Sequence, residues 1–404
     1  MLGVRYLALS RNLIVRRCTT TPVLFENLPR TLRLADAAQR FHTTPKQCIN
    51  PVFLLVAKQL TKGLAVLSGR GFRKWWLNLP PNKKAYFIDT AVRNRWKIAA
   101  SAGAVSALGG VYYVSHIQET PITKRRRFVA FTPEQFQKVS DFEFEVQYEL
   151  FKNHLVPSGH PMYARVVRVA NQLLRGNEDI DTIRRLSWSV SVIDSPMQNA
   201  FVLPSGQIFV FSGMLQLCSN DEQLGAVLAH EMAHCVLGHG AEQVSYVHLV
   251  DMVIIVFLAA IWAVMPTDGI AAVTHWFFNK VVSLLLKLPY SRKLELEADE
   301  VGLQLAAKAC FDVREASAFW SKMSLVQSQE ENVEFLSTHP SHDRRSEHLD
   351  NLMNSAIELR QQCRCPALPH KDPRVLLSVL KQELEARRRD PGYREGVVVL
   401  QRPR

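Results

Sequence analysis

A chain of 404 residues with 47% hydrophobic and 21% charged residues is too apolar to be mainly disordered, and is long enough for one large domain plus an appendage. Much of its formal net charge of +12 lies before residue 130 and in the last 20 residues, beside targeting-like and apolar stretches. That placement favours import and membrane contact and sets nucleic acid aside, since a nucleic-acid binder would cluster Lys and Arg with aromatics on the folded part.

The first 25 residues hold Arg5, Arg11, Arg16 and Arg17, interleaved with Leu7, Leu9, Leu13 and Ile14, and no Asp or Glu. An acid-poor, arginine-bearing amphipathic start predicts a mitochondrial transit peptide over residues 1–45, and the arginines interrupt any secretory apolar core. Residues 46–97 are polar to amphipathic, with Trp75, Trp76 and a break at Pro80-Pro81, and carry no chemistry. Ile98 to Ile117 is 20 residues without formal charge, the length of a bilayer core at about 1.5 Å per residue. Gly103, Ala107 and Gly110 suit close helix approach there. Basic residues flank the span on both sides, so charge leaves its orientation open.

From Phe131 the composition becomes that of a folded domain, with helical patterns over residues 133–175. Trp188, Val190 and Val192 then alternate with Ser189 and Ser191, and Asp194-Ser195-Pro196 supplies a turn. Ile208 to Phe211 makes a second short strand, predicting a hairpin or small sheet that leads into the next helix.

That helix carries His230-Glu231-Met232-Ala233-His234, bracketed at helical spacing by Leu224, Val227, Leu228, Val236 and Leu237. Histidines at i and i+4 share a helical face, so both imidazoles can reach one metal. Zinc suits imidazole and carboxylate ligands with one position open to water, and Glu231 stands where it can take that water's proton. Asp221 is read as the N-cap and Gly238 or Gly240 as the stop. Met252 to Met265 follows as 14 uninterrupted apolar residues, and Ala271 to Leu288 continues apolar but carries Lys280 and Lys287. Residues 252–288 are thus an apolar insertion, either a membrane-contacting hairpin or a buried helical pair, and only Ile98–Ile117 clearly reaches span length.

About 60 residues after the first motif stands Ser291-Arg292-Lys293-Leu294-Glu295-Leu296-Glu297-Ala298-Asp299. Glu295 and Asp299 share a helical face, so Glu295 can be the third protein ligand and Asp299 can accept the other ring N–H of His230. Glu297 is the competing carboxylate, but it points about 200° away and would leave Asp299 without a partner. Seven scattered cysteines, an odd number without a C-x-x-C pair, argue against a disulfide framework or a cysteine zinc site. Cys235 reads as a small buried residue, and Cys363 with Cys365 as a weak redox pair.

The paired motifs resemble those of the membrane-associated gluzincin peptidases that include HtpX, BepA and the CAAX prenyl proteases. With the mitochondrial-type start and the span ahead of the domain, the chain looks like the Oma-type inner-membrane peptidases, over roughly residues 130–365. The resemblance implies an α+β, mostly helical, zincin-type peptidase domain with a small β-sheet, tethered by a transmembrane helix. It places one Zn2+ on His230, His234 and Glu295, with Glu231 as base. It makes His339 and Arg345, in His339-Pro340-Ser341-His342-Asp343-Arg344-Arg345, the counterparts of the family's His-Pro motif and downstream arginine. His339 would stabilise the oxyanion or fill the open metal position of a latent enzyme. His342, His348 and Arg344 read as solvated, and His239 and His248 as surface or structural residues. Asn199-Ala200-Phe201 onward resembles the family's active-site edge strand, to which an extended substrate can add.

The implied function is a zinc endopeptidase of the mitochondrial inner membrane in stress response and quality control, facing the intermembrane space with residues 46–97 in the matrix. Implied partners are membrane-protein substrates, among them a dynamin-like fusion GTPase, together with inner-membrane lipid and a possible homo-oligomer; nucleic acid is not among them. The tail, 366–404, is basic from Arg387 onward and suits anionic lipid or solvent equally. A multi-span enzyme is disfavoured by the single clear span, and an inactive zinc adaptor or chaperone by the retention of Glu231.

Overall fold

The computed structural model describes residues 51–327 and 343–375, together with Phe335, His339 and Val379. The transit-peptide reading over 1–45, His342, the side chain of Arg344 and the tail from Arg387 lie outside the described residues. Helices α1 (Pro51–Asn78) and α2 (Pro81–Arg93) break where the two prolines predict, with Pro81 in the first turn of α2. Helix α3 (Arg95–Ser115) buries none of its residues and is long and apolar enough to cross a membrane. A short antiparallel ribbon, β1 (Ile117–Glu119) with β2 (Arg126–Phe128), connects it to the folded domain.

That domain opens with α4 (Pro133–Phe151), whose first turn is closed by a capping box between Thr132 and Gln135. Helix α5 (Pro161–Gly176) turns Val166, Val169, Ala170 and Leu173 inward, the 3.6-residue stripe of a half-buried helix. After the single-turn α6 (Asp181–Arg185) comes a three-stranded sheet in the order β3 (Ser189–Ile193), β5 (Gln207–Phe211), β4 (Ala200–Val202). The hairpin alternative is corrected: β3 and β5 run parallel, with Ser189 opposite Gln207 and Ile193 opposite Phe211. Parallel strands need a crossover, and the chain between them supplies it, folding β4 back antiparallel on the far side of β5. Central β5 is therefore almost wholly buried, and β4 is left as an edge.

After the short α7 (Ser212–Leu217) comes α8 (Asp221–Leu237), which carries the first motif. Its N-cap is Asn220, whose side-chain oxygen accepts from Gln223 N–H at 2.8 Å, and not Asp221. Asp221 sits one residue later, where it favours the positive end of the helix and receives hydrogen bonds from Arg165 and Arg168. Burial raises its carboxyl, but the hydrogen bonds from Arg168 and Arg165 prevail and hold it below the usual carboxylate range. A depressed folded-state pKa contributes stability above the unfolded value, about 3.9, that is lost as pH falls through the folded one. Asp221→Asn should therefore lower the melting temperature at pH 7, and the gap should start to close only below about pH 4 and vanish once the folded-state carboxylate is protonated. Melting curves across that range check it, and a gap independent of pH would refute it. Gly238 stops the helix at φ 69°, in the left-handed region that a side chain disfavours.

Helices α9 (His239–Val264) and α10 (Asp268–Val282) form the insertion, and one π-turn (Ser283–Lys287) joins α10 to α11 (Leu288–Lys308) without a break. The expectation of one span-length stretch is corrected: among the described residues three helices, Arg95–Ser115, His239–Val264 and Asp268–Lys308, are long and apolar enough to cross a membrane. Counting uncharged residues stopped short because the interrupting charges are paired. Asp251 is buried with Lys62 at 3.3 Å and Lys287 at 3.6 Å, and Asp268 binds Arg70 and Arg73. Helix α1 lies along α9, burying Ala65 with Leu258, Trp262 and Ala271. The outer faces of the hairpin expose Val256, Phe257, Val273, Trp276, Phe277 and Leu284.

Helices α12 (Arg314–Gln327) and α13 (Asp343–Gln362) complete the core around Leu224, Leu228, Met232, Val301, Leu305, Phe319 and Met353. Cys310, past the end of α11, forms a disulfide with Cys365, past the end of α13. This corrects the reading against disulfides and the Cys363–Cys365 pair. The bonded cysteines are 55 residues apart in sequence and are brought together by Arg360, which binds the Cys310 and Phe311 carbonyls. Cys235 is buried, as expected of a small apolar residue.

Candidate metal centre

Helix α8 presents His230 and His234 one turn apart, and their Nε2 atoms stand 3.2 Å from each other. Helix α11 brings Glu295 against them, Oε2 at 3.4 Å from His230 Nε2 and Oε1 at 3.6 Å from His234 Nε2. His339 adds a fourth donor, its Nδ1 at 3.0 Å from Glu295 Oε2 and 3.4 Å from His230 Nε2. All four donor atoms lie within 4.8 Å of one another. Donors on a tetrahedral zinc with bonds of about 2.0–2.1 Å are about 3.3–3.4 Å apart, so the set fits such an ion.

The surroundings hold positive charge in the same place. Asp299 Oδ1 lies 3.0 Å from His230 Nδ1, which keeps the proton on Nδ1 and turns the Nε2 lone pair into the cluster. Burial lowers the basicity of His230, but its bonds to Asp299 and Glu295 outweigh that and push it up to about 9. Arg345 is buried behind this pair, its Nε and Nη2 on Asp299 at 2.7 and 2.6 Å and its Nη1 3.2 Å from Glu295 Oε2. Its guanidinium lies 3.5 Å over the Trp320 ring.

Glu231 is 3% exposed, and burial raises its carboxyl above the usual range against the opposing charges of His339 and His230. Among the described residues its Oε1 has no hydrogen-bond partner, and it faces His339 Nε2 at 3.4 Å. A buried acceptor with an unspent lone pair beside a metal-ligand cluster is where a reacting water would be held.

All seven residues predicted from the sequence meet here. Glu297 stays out, as its helical angle predicts: Thr123, Arg125 and His239 take its oxygens. His248 is exposed, whereas His348 is half-buried, with its Nε2 closed off from solvent. Of the two readings of His239, surface or structural, the second holds: it is buried and touches His234, Nδ1 to Nδ1 at 3.0 Å. Two aromatic wall residues gave no signal in the sequence: Trp320 packs on His230 and stacks on Phe335, which in turn packs on His339. The Phe335 N–H donates to the Gln198 carbonyl at 3.1 Å, which places Phe335 beside the start of edge strand β4.

Residues 164–353 match the model of peptidase family M48. The metalloendopeptidase OMA1, mitochondrial, of Homo sapiens is 41% identical over 377 residues, 92% of this chain and 72% of that protein. Its Danio rerio counterpart is 43% identical over 359 residues, 87% of this chain and 75% of that protein. A beta-barrel assembly-enhancing protease of Vibrio cholerae is 26% identical over 210 residues, 48% and 42% of the two chains. With the paired motifs folded into one buried His, His, Glu cluster, the chain belongs to the OMA1 branch of peptidase family M48, the mitochondrial metalloendopeptidases.

Proposed function

We propose that the chain is a zinc endopeptidase of the mitochondrial inner membrane that cleaves membrane proteins. The observation that carries the chemistry is the Oε1 of buried Glu231, without a hydrogen bond among the described residues, at the edge of the donor set formed by His230, His234, Glu295 and His339. His230, His234 and Glu295 would hold the metal, and Asp299 would orient His230. The metal, when bound, acidifies a water and polarises the scissile carbonyl. Glu231 takes the proton of the attacking water and passes it to the leaving amine, without a covalent intermediate. Arg345 Nη1, buried and held by an ion pair with Glu295 at 3.2 Å, is placed beside the oxygen on which charge develops. His339, at the fourth corner, must swing away before a substrate carbonyl can enter, which suits a latent state. An extended substrate would pair with edge strand β4.

The exposed apolar faces of the α9–α10 hairpin and of α3 support embedding in the bilayer, with the acids of the hairpin neutralised by α1. The resemblance to the Oma-type peptidases supports a domain facing the intermembrane space, a role in stress response and quality control, and a dynamin-like GTPase among the substrates. Wild type and Glu231→Gln, each with a C-terminal tag, are to be expressed in mitochondria that lack the protein. The GTPase should be cut in stressed mitochondria only by wild type, and the tag should become protease-sensitive once the outer membrane is opened. An uncut GTPase removes that substrate, and a tag reached only after the inner membrane is lysed reverses the topology.

A further inference from the structure

We infer that His239, held by Glu297, is the positioning residue for the metal ligand His234. The inference rests on the metal-site reading above and gives His234 the counterpart of what Asp299 does for His230. The chain past Gly238 turns sharply enough to bring His239 back over His234, so that the two Nδ1 atoms are 3.0 Å apart. The other side of His239 faces Glu297, Nε2 to Oε2 at 3.3 Å. Only one distribution of protons serves a metal on His234 Nε2. His234 must carry its proton on Nδ1, so His239 Nδ1 must be the bare acceptor. His239 then carries its proton on Nε2, where the carboxylate of Glu297 accepts it. Glu297 thus dictates the tautomer of His239, and His239 dictates that of His234.

Glu297 is itself immobilised. Arg125 bonds its Oε2 through Nε at 2.8 Å and spans to both oxygens of Glu242 at 2.7 Å each, while Thr123 and Tyr290 close the two carboxylates from either side. His239 and Glu242 are 2% and 0% exposed, so water does not compete for these bonds. A hydrogen bond from the far nitrogen of a ligating imidazole fixes its ring and strengthens its donor atom. Losing such a partner typically weakens metal affinity about 10- to 100-fold.

The test uses the full chain in detergent, stripped of metal and titrated with zinc against a chromophoric chelator. His239→Phe keeps the ring shape and removes both nitrogens, and should weaken zinc by about 10- to 100-fold while the metal-free protein melts as wild type does. His239→Asn places an amide oxygen where Nδ1 was, and should recover most of that loss. Equal zinc affinity in wild type and His239→Phe overturns the inference, as does an equal loss in the Phe and Asn variants. Nitrogen NMR of histidine-labelled, zinc-loaded wild type gives a reading independent of any variant. It should show His239 protonated at Nε2 and bare at Nδ1, and a proton on His239 Nδ1 is incompatible with the inference. If wild type itself fails to bind zinc, the underlying site reading falls with it, whereas the outcomes above separate the role of His239 from that reading.

Discussion

Glu231→Gln should retain zinc at wild-type affinity and lose about 10²- to 10⁴-fold in peptide hydrolysis, the range of a general base. The amide has nearly the same shape, so the buried slot that holds Glu231 is kept, and the donor set formed by His230, His234 and Glu295 does not include it. What is lost is the proton acceptor at Oε1. Glu295→Ala should do the opposite first, removing the only carboxylate among the four donors and with it most of the zinc retention. Metal analysis beside a cleavage assay on the same preparations reads both, and hydrolysis by Glu231→Gln at the wild-type rate would exclude the mechanism.

Arg345→Leu should be the most destabilising change in the domain outside the hydrophobic core. Arg345 is 2% exposed and pairs with Asp299 and Glu295, themselves 2% and 6% exposed. Removing one member of a buried ion pair leaves its partner's charge uncompensated, at a cost of about 3–5 kcal/mol. For a domain of this size that lowers the melting temperature by roughly 6–20 °C. Arg345→Lys keeps the charge but not the two-pronged contact with Asp299 or the stacking on Trp320, and should fall between. Scanning calorimetry of the three proteins decides, and a shift below about 2 °C for the leucine variant shows that Asp299 is not relying on this arginine.

The candidate site was legible to the extent that its residues repeat at helical spacing. His230, Glu231 and His234 on one helix, and Glu295 with Asp299 on another, follow from a 3.6-residue period and the ligand needs of a metal. For His239 the sequence left surface and structural roles open, because it lies past a left-handed glycine, where helical spacing no longer says which way a side chain points. Trp320 and Phe335 reach the site through packing of elements far apart in the chain, which no local pattern encodes. The same limit applied to the sheet, where alternation found β3 and β5 but not their parallel order, and to the disulfide, whose partners meet only after α12 and α13 have packed. The second span-length helix was missed because a charge in a sequence has no visible partner, whereas Asp251 folds against two lysines.

Gly302 stands one turn past Asp299 on α11, and a methyl group there would lie 2.9 Å from the Cα of His230. That contact, and those with the His230 nitrogen at 3.0 Å and the Ala229 carbonyl carbon at 3.2 Å, are all with backbone, so none can yield as a flexible side chain does. The metal's donors come from two helices that are held in register by no covalent link within the site, so their separation is a mechanical dimension set where the helices touch. The bare Cα of Gly302 is the spacer that defines this dimension. A single added carbon would act as a shim, prying α11 from α8 and carrying Glu295 away from both imidazoles, although position 302 faces neither substrate nor metal.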